Sequence, residues 1–185
     1  MSLRAIGAST VPVVVSYAGQ TLIATVNAVA ATSVTFSSIP QVYKHLNVVF
    51  FDVYQSTTND GFGIRLNNDT TAGRHVYRNN GVYSTGAAAD RGSSTYFAGS
   101  ATDRYIIPKT TATAGVYDAM ARGVFTIYRY SNTTENKFCQ WQTAGDTNGV
   151  FGTGQFLSTN AITQIEFIRN GSQTVTGTFH LYGVA

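Results

Sequence analysis

No second cysteine accompanies Cys139, so the chain has neither an intrachain disulfide nor a multi-cysteine metal site. Within the run KFCQW the lone thiol reads as a small buried hydrophobe. Charge is scarce too: 11% of residues are charged, and 12 basic against 9 acidic side chains leave a formal net charge of +3. The basic residues are scattered, whereas a nucleic-acid footprint needs them clustered on one face. No apolar run is long enough to span a bilayer, and VPVVVSYAG is short, broken and not preceded by the basic segment of a secretory leader. Neither a membrane nor a nucleic acid is an expected partner.

Catalytic signatures are missing as well. There is no G-x-S-x-G, no H-E-x-x-H and no phosphate-binding glycine loop ending in Lys-Ser or Lys-Thr. His45, His75 and His180 stand far apart, with no neighbour at metal-ligand spacing. Asp103, Asp118, Glu135 and Glu166 are weak candidates for a glycosidase carboxylate pair, in a chain with few acids and no Trp-rich cleft. The turn from Asp146 to Gly149 lacks the downstream bidentate glutamate of a calcium loop. The expectation is a non-enzyme without cofactor or metal.

What the chain does have is β-forming material. Tyr and Phe contribute 11 residues each, and Thr, Ser, Asn and Gly fill much of the rest, which suits sheets with uncharged polar surfaces. At 185 residues one domain with an appendage fits the length. Residues 1–20 read as an extended arm, because Gly7, Ala8, Ser9 and Pro12 interrupt compact structure. Arg4, Ile6, Val11, Val13, Val15 and Tyr17 are the candidate partner-binding residues of that arm; a first strand of the domain is the other reading.

The domain, residues 21–185, is organised around the stretch 36–46, FSSIPQVYKHL. Val34 and Phe36 alternate with polar neighbours, and Pro40 removes a ladder donor and should end that strand at a corner. Residues 46–54, LNVVFFDVY, then read as a strand in the middle of a sheet. Further strands are expected over 21–26, 62–66, 74–78, 104–107, 116–130 with a bend near Gly123, and 137–143. Residues 82–103 read as a long surface loop with one short strand, and 144–149 as a turn-rich loop followed by apolar contacts from Phe151, Phe156 and Leu157 among glycines. Asp60-Gly61 and Asn170-Gly171 signal hairpins, the second joining the strand with Ile165 and Phe167 to residues 175–184. Eight or more short strands indicate a sandwich or barrel; an immunoglobulin-like sandwich would lack its paired cysteines here.

Two groups of residues also carry a resemblance. Phe36, Ile39, Pro40, Tyr43, Lys44, His45 and Leu46 form one group, and Ile162, Ile165, Phe167, Phe179, Leu181, Tyr182 and Gly183 the other. Together they resemble a recurrent family of small virion structural proteins of tailed bacteriophages, over roughly residues 25–185. The motifs are structural, with Phe36, Ile39, Pro40, Tyr43, Leu46, Phe179, Leu181 and Tyr182 as the framework residues. The resemblance implies an all-β, two-sheet antiparallel jelly-roll sandwich, made in the host bacterial cytoplasm and carried on the capsid exterior. It further implies a decoration or cement protein whose partners are the major capsid protein and copies of itself, as a homotrimer. A short chain without a coiled-coil or β-helix shaft favours that role. The alternative is a tail-fibre or tail-tip domain binding host surface carbohydrate.

Overall fold

Alternation builds the strands and sorts their residues onto two faces. In the segment Lys137–Ala144, Lys137, Cys139, Trp141 and Thr143 are buried while Phe138, Gln142 and Ala144 are exposed, the two-residue period of a half-buried strand. The computed structural model describes residues 16–17, 19–55, 62–84, 91–98, 103–107, 121–144, 148–168 and 174–185. Every helix or strand element among them is a strand: β1 (Ser16–Tyr17), β2 (Gln20–Ala31), β3 (Ser33–Phe36), β4 (His45–Gln55), β5 (Phe62–Leu66), β6 (His75–Ser84), β7 (Arg91–Ala98), β8 (Tyr105–Ile107), β9 (Ala121–Tyr128), β10 (Lys137–Ala144), β11 (Asn148–Phe156), β12 (Ile165–Ile168) and β13 (Val175–Val184).

These strands form two antiparallel sheets. The larger has the order β1-β2-β13-β4-β9-β10-β11-β6-β7, and the smaller β3-β12-β5-β8. They pack face to face as a β-sandwich, with aromatic rings meeting across the gap. Phe167 of the small sheet lies 5.9 Å from Phe50 and 5.0 Å from Phe179 of the large one, and Tyr105 lies 5.5 Å from Trp141 and 5.8 Å from Phe125. All six rings are buried, so the aromatic layer is the centre of the core. As expected, β4 is central, flanked by β13 and β9. Of the expected arm, Arg4, Ile6, Val11, Val13 and Val15 lie outside the described residues, while the backbone of Tyr17 pairs opposite Gln20.

Several local expectations change. Neither Gly-containing turn signal joins paired strands: β4 and β5 belong to different sheets, and so do β12 and β13. Asp-Gly and Asn-Gly favour chain reversal, but pairing is decided by free edges, and both edges of β12 are taken by β3 and β5. The stretch expected to be mostly loop instead extends β6 to Ser84 and adds β7 beside it. Such polar, glycine-containing segments offer no apolar alternation to read in the sequence, because the backbone ladder that joins β6 to β7 does not depend on one.

The region 148–156, read as loop and scattered contacts, is a full strand between β10 and β6. Its glycines mislead because they serve packing: a Cβ at Gly152 would overlap the Trp141 ring, and one at Gly154 would sit 2.7 Å from Tyr105. The bend foreseen near Gly123 exists, but the extra residue is on the opposite strand. Phe50 pairs with Gly123 and Val53 with Ala121, so β4 carries the bulge, with Asp52 at φ +52°.

Candidate functional site

The corner after β3 is a convergence of backbone and side chains from four parts of the chain. Ile39 is buried and donates its N–H to the Thr163 carbonyl at 3.1 Å, while the Gln41 side chain donates to the carbonyls of Ile39 (2.7 Å) and Ile162 (3.0 Å). The Tyr130 hydroxyl donates to the Pro40 carbonyl and accepts the Tyr43 N–H at 3.4 Å. Burial raises the Tyr130 phenol pKa, which keeps it a donor. The Tyr43 ring lies where a side chain at Gly183 would be, and the Lys44 N–H reaches the Val184 carbonyl at 2.8 Å. The two sequence motifs thus meet in space through Tyr43 and Gly183. Phe36, Leu46, Phe179 and Leu181 are core residues, Pro40 and Tyr43 form the corner, and Tyr182 lies on the outer face, its ring 6.2 Å from His180.

Beside the corner lies an open cavity of about 460 Å³ lined by Tyr43, Lys44, His45, Arg129, Ser131 and Asn132. Arg129 takes a left-handed φ of +48° and donates its backbone N–H to His45 Nδ1 at 3.0 Å, so a neutral His45 carries its proton on Nε2. One Arg129 guanidinium nitrogen holds both oxygens of Glu135, at 3.0 and 2.7 Å, in a well-exposed pair. Asn132 Oδ1 accepts the Thr134 and Glu135 N–H groups at 2.7 and 3.1 Å and fixes the loop. Lys44 pairs with no carboxylate among the described residues. In the sequence Tyr130, Arg129 and Asn132 carry no mark of this corner beyond the alternation that runs to Tyr130; the strand β9 itself stops at Tyr128, and Arg129 and Tyr130 lie in the turn that follows.

The outer face of the large sheet is the second feature. Across β13, β4, β9, β10, β11 and β6 the register aligns three rows of outward residues. They are Val184-His45-Tyr128-Phe138-Gln155-Val76, then Tyr182-Asn47-Thr126-Gln140-Thr153-Arg78, then His180-Val49-Val124-Gln142-Phe151-Asn80. None of these is buried, and Arg78 is the only Lys, Arg, Asp or Glu among them. Ordinary solvated surface carries roughly a quarter charged residues. Instead this face is bonded to itself: Thr126 donates to Asn47 at 2.8 Å, Tyr128 to Gln140 at 3.1 Å, and Thr25 meets His180 Nδ1 at 2.8 Å. Phe138 and Phe151 are each 42% exposed and Phe51, at the edge of the rows, 41%, which leaves apolar rings open to solvent.

The other sheet contrasts with it. Arg65 on β5 pairs with Asp103 and with Glu166 (3.4 Å), and Arg104 holds Asp103 at 2.7 Å. Burial pushes the Asp103 carboxyl up, but hydrogen bonds from Arg104 and Arg65 bring it below its ordinary value. The strongly perturbed groups elsewhere are sealed in the core. Burial drives the His75 imidazole down to about 4, and its Nε2 accepts the Leu66 N–H at 3.2 Å. Burial pushes the Cys139 thiol up to about 12, as befits an inert core residue. Lys137 is depressed by burial and its ammonium caps the carbonyls of Glu135 (2.8 Å) and Thr159 (3.0 Å). Among the described residues no group of three or more His, Cys, Asp or Glu has the placement to hold a metal ion. No protein-family model matches the chain, and no curated protein matches it.

Proposed function

We propose that this protein is a non-enzymatic structural component of a tailed-phage virion, attached to the outside of the capsid shell as a decoration or cement protein. The observation that carries the reading is the three-row outer face of the large sheet, where Arg78 is the one charged residue. Depletion of charge with aromatic enrichment is the composition of the buried centre of a protein interface. A face of this kind matches a role in packing against the major capsid protein and against copies of the same chain, with a homotrimer as the assembly.

The strand order supports a jelly roll as the scaffold. With β2, β13, β4 and β9 as neighbours in one sheet and β3, β12, β5 and β8 in the other, successive strands leave and re-enter opposite sheets as two interlocked Greek keys require. In that description β6-β7 and β10-β11 are insertions that widen one sheet, and they supply half of the charge-poor face. The segment 1–15, which precedes β1 and lies outside the described residues, is the second proposed contact with a neighbour.

Co-sedimentation of the purified protein with capsids assembled without it tests the reading. Saturable binding is the expected result, together with a virion map that places the density on the shell. Density at the tail and none on the shell would overturn it.

A further inference from the structure

We propose that the cavity beside the corner binds an acidic sugar residue, with its carboxylate held by Lys44 and Arg129. The cavity, about 460 Å³, is of the size that takes a small molecule. Its charge selects the ligand: Lys44 is unpaired among the described residues, and Glu135 offsets Arg129, so one net positive charge remains. That balance suits a monoanionic carboxylate better than a doubly charged phosphate. Glu135 engages a single guanidinium nitrogen, which leaves Arg129 Nε and its other nitrogen for a second acceptor.

The rest of the wall suits a sugar. Ser131 supplies a hydroxyl, Asn132 an amide, and Tyr43 a ring, the groups that meet sugar hydroxyls and C–H faces. A peptide strand has no place to pair here, because His45 begins β4 and both edges of β4 are occupied by β13 and β9. The site lies within one chain, so it stands or falls apart from any assembly on a capsid.

The test is a titration of the full chain, followed through its backbone amide resonances, with glucuronate, glucose and a poly-glutamate peptide in turn. Glucuronate should shift Lys44, His45, Arg129 and Asn132 and bind about tenfold more tightly than glucose, the yield of one charge-assisted hydrogen bond. Lys44→Gln should weaken glucuronate by about the same factor. Glu135→Gln should strengthen it by freeing Arg129. Both substitutions sit at exposed positions, and unchanged spectra elsewhere will verify the fold. Equal affinity for glucose, equal shifts from poly-glutamate, or no effect of Lys44→Gln in a folded protein would each overturn the proposal.

Discussion

The hydroxyl of Tyr130 donates to the carbonyl of Pro40, a residue 90 positions earlier in the chain, and closes the corner between the two sheets. The same oxygen accepts the Tyr43 N–H, so one side chain satisfies two backbone groups that the proline turn leaves without a ladder.

Replacing Tyr130 by Phe keeps the ring in the core and removes only that oxygen. Loss of stability by about 1 kcal/mol is expected, the net worth of part-buried hydrogen bonds. Urea unfolding measures it; an unchanged midpoint would remove Tyr130 as the clasp.

A second prediction concerns Gly152, whose Cβ position is filled by the Trp141 ring. Gly152→Ala should destabilise by about 1–3 kcal/mol through overpacking. In the background of Trp141→Leu, which empties that space, the alanine should cost much less. A double-mutant cycle with no coupling between the two sites would show that the ring does not dictate the glycine.

Gly152 also shows why part of the fold was hidden. Alternation made β10 and β12 readable, and the proline corner and the central place of β4 followed from their own residues. In β11 the glycines that a reader of sequence takes for loop are cut-outs for Trp141 and Tyr105, which lie on other strands. The Asn170-Gly171 signal failed for a related reason. It is local, whereas the edges that capture β12 and β13 are held by strands far away in sequence. The corner cavity was likewise out of reach, since Lys44 and Arg129 come from opposite ends of the β4–β9 ladder's sequence and only its register joins them.

Stability should fall with acid through His75. Its pKa is lowered by burial from 6.5 to about 4 in the folded protein, so below 6.5 the unfolded chain binds a proton that the folded chain does not. The contribution is complete above about 6.5 and is lost progressively as pH falls toward about 4, to a total on the order of 3 kcal/mol. Asp69 and Asp103, whose folded values lie below 3.8, lose their contributions at lower pH and do not overlap most of this window. Urea midpoints between pH 7 and about 4.5 should slope for the native chain and flatten in His75→Gln. A slope that survives the substitution would assign the effect to another group.

The last prediction separates the two faces of the sandwich. Gln140 sits in the middle row of the charge-poor face, between Thr126 and Thr153, and Thr35 is exposed on the small sheet opposite Glu166. Gln140→Lys puts a charge where a packed partner would have to desolvate it, at a cost of several kcal/mol if it stays unpaired. The fold should survive, since the loss of the part-buried hydrogen bond from Tyr128 costs about 1 kcal/mol. Capsid co-sedimentation and any trimer seen by light scattering should both be lost in Gln140→Lys and kept in Thr35→Lys, which gains a carboxylate neighbour instead. Because both variants add the same charge to the chain, a general electrostatic effect would alter them alike. Equal attachment of the two would mean that the outer face of the large sheet is not the contact surface, and loss only in Thr35→Lys would move the contact to the small sheet.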